Sequence, residues 1–286
     1  MAGEEGFVQM SSEGLRSYMD ERQEADYLLI DVRQPGEYEQ SHIPGAALMP
    51  IAELESRLFE LPSDKDLIFY CKVGSRSQMA AMLAGEAEVT ERPVYHLSGG
   101  IQAWDGQTLS DFPRLHLFET GGSFEQLLFT AMNMERGAER FYQYVRDQYA
   151  DYAFSATFGQ LAQVETAHAR IVYDLYKKIA SPASPEPFET LYEGLAGDIV
   201  EGGESLARMT DKLASVEAEA CTRLLEFALR MEYAAYDLYR SAAGRQDTAP
   251  ETAGLFLDLA QAEKNHMRMI AGAFADCSPA AGEVER

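Results

Sequence analysis

The stretch LAQVETAHAR, residues 161–170, returns almost intact as LAQAEKNHMR, residues 259–268. The shared letters are Leu, Ala, Gln, Glu, His and Arg, and the most chemical of them are a glutamate and a histidine three residues later. The duplication reaches further back. AMNMERGAERFY (131–142) and ALRMEYAAYDLY (228–239) both read A-x-x-M-E-x-x-A-x-x-x-Y. Glu135 and Glu232 lie 97 residues apart, and Glu165 and Glu263 lie 98 apart. Each half of the duplication therefore holds one Glu, and then a Glu-x-x-His after 30 or 31 residues.

Helical spacing gives this pattern a meaning. Residues three apart share one helix face, so Glu165 with His168, and Glu263 with His266, aim at one spot. The surrounding grammar is helical, with long segments expected at about 123–149, 153–180, 215–243 and 250–275. Short connections near residues 150–152 and at GRQDTAP make each consecutive pair an antiparallel hairpin. Glu135 precedes its turn by about as many residues as Glu165 follows it, so the two sit at similar height. The same holds for Glu232 and Glu263. A long crossover of residues 181–211, beginning proline-rich and expected to hold a short helix, joins the hairpins. The expected architecture is a four-helix bundle with four carboxylates and two imidazoles facing inward. Four buried anions are too costly unless neutralised. Two divalent metals would do so, and mixed carboxylate–imidazole ligation suits iron or manganese. Tyr142, Tyr236 and Tyr239 read as core residues rather than donors around such a site.

The first part of the chain has a different grammar. DYLLIDVR (26–33), DLIFYCK (66–72) and PVYHL (93–97) are short apolar runs bounded by turn residues. IAELESRLFE and SQMAAMLAGEAE lie between them as amphipathic helices. Strand–helix alternation implies a parallel α/β sheet. The change of grammar falls in DFPRLHLFETGGS (111–123), which divides the chain into an α/β domain at 1–113, a linker at 114–122, a helical bundle at 123–276 and a tail at 277–286.

Composition bounds the partners. The chain has 286 residues, enough for two domains, and 46% are hydrophobic, enough for two cores. Its net charge is −23, which argues against nucleic acid and against anionic membranes. No run of about 20 apolar residues suggests a membrane span, and the opening MAGEEGFVQM has no signal-peptide character. A cytoplasmic setting is expected. The three cysteines, Cys71, Cys221 and Cys277, are far apart and form no C-x-x-C pair. No disulfide framework is expected from them. Cys221 reads as helix packing, and Cys277 as an exposed residue past the last helix.

Cys71 stands apart. It closes the run DLIFY and is followed by KVGSRSQMAAMLAG, a loop running into a helix. Amides at a helix start favour a thiolate or an anion, Gly74 lets the backbone curl, and Lys72 and Arg76 add positive charge. Cys71 and Arg76 are the candidate catalytic residues of this loop, with Lys72, Val73, Gly74 and Ser75 cradling an anion or a persulfide.

Two family resemblances follow. Residues 120–276 resemble the rubrerythrin family of the ferritin-like superfamily. The resemblance implies a non-haem di-iron centre that reduces hydrogen peroxide, with Glu135, Glu165, His168, Glu232, Glu263 and His266 as ligands to two iron ions, or to manganese. Rubrerythrins usually have a further glutamate three residues after the one on the third helix, where this chain has Ala235. They also usually carry a rubredoxin domain with paired C-x-x-C ligands, which this sequence lacks, so a different electron donor is implied. Residues 5–113 resemble a rhodanese domain through LLIDVRQPGEYEQSHIPGA (28–46), YCKVGSRS (70–77) and LSGGIQAW (97–104). This implies a sulfurtransferase with Cys71 as the sulfur-accepting nucleophile. The six residues from Cys71 to Arg76 make a shorter loop than the Cys-x5-Arg of related phosphatases, which favours sulfane sulfur over phosphate. Asp31, Arg33 and His42 match the framework pattern of the family, and Ser41 stands where it often has glycine.

Together these features imply a two-site redox enzyme that acts on hydrogen peroxide or oxygen, on a sulfane-sulfur donor and on a thiol acceptor. The two sites are coupled if sulfur species supply electrons to the irons. The alternative is a metal-binding protein that senses iron or peroxide and uses the rhodanese fold for docking. A homodimer is expected in either case, since the long crossover permits exchange of a hairpin between chains.

Overall fold

A computed structural model of the chain describes residues 6–118, 124–179, 185–213, 220–245 and 248–277. The expected linker at 114–122 falls partly outside these residues, and the expected tail at 277–286 falls almost wholly outside them. The chain divides into two compact units. One comprises Met1–Pro113 with Tyr236–Gln261, the other Arg114–Ala235 with Ala262–Arg286.

The first unit opens with β1 (Val8–Met10), α1 (Ser12–Glu21), β2 (Tyr27–Asp31), α2 (Pro35–Gln40) and β3 (Ala47–Leu48). It continues with α3 (Ile51–Arg57), β4 (Asp66–Tyr70), α4 (Ser75–Glu86), β5 (Val94–Leu97) and α5 (Gly100–Ala103). The strands form one parallel sheet in the order β1-β5-β4-β2-β3. All five residues of β4 are buried, which is why DLIFY reads as a continuous apolar run: a central parallel strand is covered on both faces. One face packs on Val32, Leu54, Ala80, Ala81 and Ala84, the other on Leu15, Tyr38 and Ile43. The three strands read from sequence are present. The short β1 and β3 were not foreseen.

The second unit contains α6 (Phe124–Gln148), α7 (Ser155–Ile179), α8 (Phe188–Gly194) and α9 (Leu206–Leu213). The chain then forms α10 (Ala220–Ala243) and α11 (Pro250–Ala273), each of which passes from one unit to the other. The crossover thus holds two short helices rather than one. On α6 the buried positions Leu128, Ala131, Glu135, Ala138, Tyr142 and Val145 recur every three or four residues, the stripe of a helix facing a core, and Met134, Gly137 and Phe141 beside it are buried as well, so the helix is covered on more than one side. Pro250 sits at the first position of α11, where its missing N–H costs nothing, and Lys177 and Lys178 complement the carbonyl end of α7.

One sequence expectation is corrected here. Cys221 and Cys277 are joined in a disulfide, with Cα atoms 5.4 Å apart. A separation of 56 residues conceals the proximity, which arises because α10 begins where α11 ends. Cys277 is accordingly packed against the helical core rather than exposed.

Candidate functional site

Four helices of the second unit bring the six expected ligand residues together. Glu135 on α6, Glu165 on α7, and Glu232 and Glu263 on α10 and α11 are all fully buried. His168 and His266 are nearly or fully buried, and their rings lie 4.9 Å apart. His266 Nδ1 is 3.1 Å from Glu232, 3.1 Å from Glu263 and 3.3 Å from Glu165. His168 Nδ1 lies 3.4 Å from Glu165 and 3.6 Å from Glu135. Three overlapping triplets have donor atoms within 4.8 Å of one another: Glu165–His168–His266, Glu135–His168–Glu263 and Glu232–Glu263–His266.

The donor set fits metal ions. Both carboxylate oxygens of Glu165 and of Glu263 are buried without a hydrogen bond, as is His266 Nε2. The 3.1 Å approach of Glu263 to His266 is close enough for an ion pair but lacks hydrogen-bond alignment. Buried oxygens left in this state are costly, and divalent cations would satisfy them. Electrostatics agrees. Burial pushes the Glu165 carboxyl up to about 7 despite the opposing pull of His266 and His168. Burial disfavours charge on His168 too, but Glu135 and Glu165 hold it protonated up to about 10.

Two neighbours complete this site. Tyr142, fully buried on α6, donates its hydroxyl to Glu232 Oε1 while His266 contacts the other oxygen. It therefore serves the site as well as the core, a role that spacing alone did not reveal. Ala235, at the position of the rubrerythrin family's additional glutamate, is also fully buried. The crossover backbone lies against it. A Cβ on Gly202, whose φ is +72°, would come 2.7 Å from the Ala234 Cβ and 3.5 Å from the Ala235 amide.

In the first unit, Cys71 follows β4 directly and is buried. Gly74, the N-cap of α4, has φ +102°, which turns the loop so that its amide donates to Cys71 Sγ at 3.1 Å. Burial opposes ionisation of Cys71. Hydrogen bonds from the Ser77 amide and hydroxyl and from the Val73 and Gly74 amides outweigh it, and the thiol pKa falls below its ordinary value. The segment 97–104 supports the loop from behind, with Ile101 and Gln102 amides donating to the Cys71 and Lys72 carbonyls at 2.8 and 3.1 Å. Arg76 is held by Glu37 of α2 through two 2.8 Å hydrogen bonds, and Glu37 first, with the Cys71 sulfur after it, favours its charged form. Glu37 was not singled out in the sequence, because it lies 39 residues from Arg76. Val73 stands at the exposed rim of the loop. Asp31 and Arg33 form a buried pair at 2.6 Å, and Arg33 also donates to the Ser41 carbonyl, so the side chain at 41 is not part of that contact.

A rhodanese-like domain family matches residues 15–107, and the rubrerythrin family matches residues 223–286. The chain joins a rhodanese-like domain to a rubrerythrin domain. The rhodanese-like domain is 40% identical over 79 residues to the uncharacterized protein YqhL of Bacillus subtilis, covering 28% of this chain and 61% of YqhL. It is 38% identical over 79 residues to a sulfurtransferase of Allochromatium vinosum, covering 28% of this chain and 72% of that protein. The rhodanese-like domain of the Anabaena Alr3790 protein, solved by NMR, is 29% identical over 36% of this chain and 78% of its own, with a TM-score of 0.32. The rubrerythrin domain implies iron binding, in keeping with the donor set. No helix among the described residues is long and apolar enough to cross a membrane.

Proposed function

We propose that this chain is a two-site redox enzyme. Its rubrerythrin domain reduces hydrogen peroxide or oxygen at a di-iron centre held by Glu135, Glu165, His168, Glu232, Glu263 and His266. Its rhodanese-like domain transfers sulfane sulfur through a persulfide on Cys71. The observation that carries the first reading is the burial of four carboxylates and two imidazoles around one point, with oxygens of Glu165 and Glu263 left without hydrogen bonds.

Iron held by these six residues would supply the electrons for reducing peroxide or oxygen. The residues of the chain neutralise its charge with four carboxylates and exclude bulk water by burial. The Tyr142 hydroxyl and His266 fix the two oxygens of Glu232. At Cys71, the thiolate attacks the sulfane sulfur of a donor such as thiosulfate. A new S–S bond forms, the old one breaks and sulfite leaves with its electron pair. Loop amides and Arg76 then hold the persulfide anion until a thiolate acceptor takes its outer sulfur.

The test is metal content per chain after purification without added metal or chelator. Close to two irons in the native protein, and none in Glu165→Ala/Glu263→Ala, is expected. A native protein that is metal-free and takes up no ferrous iron overturns the di-iron reading. Coupling of the sites is tested separately with Cys71→Ser, which should slow persulfide-driven peroxide reduction while leaving the iron content unchanged.

A further inference from the structure

Tyr236 follows Glu232 by four residues on α10, one helical turn or about 6 Å along the axis. Its hydroxyl donates to Glu24 at 2.9 Å and lies 3.1 Å from the hydroxyl of Tyr27, at the start of β2. The Tyr27 hydroxyl is in turn 3.2 Å from each oxygen of Glu24. The Tyr27 ring stands 5.7 Å from that of Tyr18 on α1, and Tyr18 stands 5.7 Å from Tyr95 on β5. Tyr18 donates to Asp66, the first residue of β4. Tyr236 and Tyr27 are buried, whereas Tyr18 and Tyr95 are half-buried. Four phenols thus run in short steps from α10 to rings that meet solvent. A buried tyrosine needs a partner for its hydroxyl, and a backbone carbonyl is enough, as Ala46 is for Tyr38. Three consecutive tyrosines of this series use carboxylates instead, and Glu24 is buried with them at a cost that Arg240 offsets. Packing does not require that choice. A phenol gives up an electron readily only when its proton leaves at the same moment, and a hydrogen-bonded carboxylate takes that proton.

We propose that Tyr236, Tyr27, Tyr18 and Tyr95 form a one-electron relay, an outlet through which oxidising equivalents left unspent at the iron centre reach the surface and are quenched there by a diffusible thiol. The outlet rests on the di-iron reading above. Tyr236 gives one electron to the oxidised centre and its phenolic proton to Glu24, leaving a neutral radical. Tyr27 refills Tyr236 with one electron as Glu24 returns the proton, and Glu24 then takes the proton of Tyr27. Tyr18 repeats the exchange with Asp66 as its base. Tyr95 refills Tyr18 and releases its own proton to solvent. A thiol restores Tyr95 with one hydrogen atom, and two thiyl radicals join as a disulfide. Each thiol thus sends one electron to the centre and one proton to solvent, while the tyrosines and carboxylates end as they began.

Electron tunnelling falls off exponentially with distance, so several short steps outrun one long one. Only a strong oxidant draws an electron from a phenol. The relay therefore carries charge when hydrogen peroxide outruns the ordinary electron supply, and rests during normal turnover.

The first test needs no iron. The full-length chain carrying Tyr236→3-aminotyrosine, an easily oxidised sink, is prepared metal-free and exposed to photogenerated tris(bipyridine)ruthenium(III). Electron paramagnetic resonance should show the aminotyrosyl radical. Tyr27→Phe and Tyr18→Phe should each abolish it, and Tyr18→Trp, which restores an oxidisable ring, should bring it back. An equal radical yield in the phenylalanine variants overturns the relay, since phenylalanine keeps the packing and carries no charge. The second test adds hydrogen peroxide to the iron-loaded native chain without thiol. A nitroso spin trap should mark Tyr95. Tyr236→Phe should lose that adduct and inactivate sooner, while its peroxide turnover with reductant supplied stays at the native rate. A native chain that holds iron and consumes peroxide but leaves Tyr95 unmarked overturns the outlet role. A chain that binds no iron brings down the di-iron reading and the outlet together, and the ruthenium experiment still decides whether the four tyrosines conduct.

Discussion

Cys221 and Cys277 close a disulfide across 56 residues, and each stands 11 residues from an expected metal ligand, Glu232 and His266. At about 1.5 Å of rise per residue the bond lies roughly 16 Å along the helices from the donor cluster. It constrains the unfolded chain rather than the site. Closing a loop of this length is worth about 4 kcal/mol in the chain-entropy account. Reductant, or Cys221→Ser/Cys277→Ser, should lower the melting temperature of the helical unit while leaving its metal content unchanged. Calorimetry with parallel metal analysis checks both parts.

The buried donor cluster should reverse its effect on stability when metal is supplied. Ferrous iron or manganese at a hundredfold excess over its dissociation constant should stabilise the native protein by about 2.7 kcal/mol. Glu165→Gln/Glu263→Gln, which removes two buried charges at nearly constant volume, should be more stable than the native chain without metal and insensitive to added metal. Melting curves with and without metal would falsify this if the two proteins responded alike.

Tyr142→Phe removes a hydroxyl and almost no volume. The fully buried Glu232 then loses the donor on Oε1 that orients it. Metal affinity should fall by about 10- to 100-fold, with the fold retained. Competition against a chelator of known affinity measures the change, and an unaltered affinity would assign Tyr142 to packing alone.

Within the first unit, Arg240 pairs with Glu24 in full burial, and its guanidinium lies 4.5 Å from the centre of the Tyr27 ring. Tyr236 also donates to Glu24, at 2.9 Å. Arg240→Ala should cost about 3–5 kcal/mol by leaving Glu24 charged and buried, whereas Arg240→Met/Glu24→Leu should be close to neutral. Urea denaturation of the three proteins tests the contrast. Equal losses would mean that packing, not charge, governs the site.

The pH dependence of sulfur loading follows from Cys71. The thiolate is the reactive form, so the rate should rise with pH and level off around a midpoint below the ordinary thiol value of 9.0. The Arg76–Glu37 pair does not add an acid limb. Arg76, outweighing a small opposing effect of burial, holds Glu37 down to about 2, so the stability that this pair contributes is present above the ordinary carboxylate value and is lost only as pH falls through about 2. A loading-rate profile between pH 5 and 9 with two inflections would contradict this.

The sequence by itself determined what depends on local periodicity. The duplicated Glu and Glu-x-x-His needed only helical spacing and two antiparallel turns to bring Glu135, Glu165, His168, Glu232, Glu263 and His266 to one height. The apolar run closed by Cys71, then Gly74 and a helix, likewise sets a strand–loop–helix with little help from the rest of the chain. Strands of three and two residues, such as β1 and β3, are too short to show a period. The remaining features depend on residues that meet only after folding. Cys221 met Cys277 because α10 begins where α11 ends. Glu37 reached Arg76 from another helix, and Tyr142 found Glu232 across 90 residues. Tyr236 and Arg240 packed with Glu24, although α10 reads as part of the bundle. Burial turned these pairings into strong interactions, and no one-dimensional pattern encodes which side chains a folded chain will bury together.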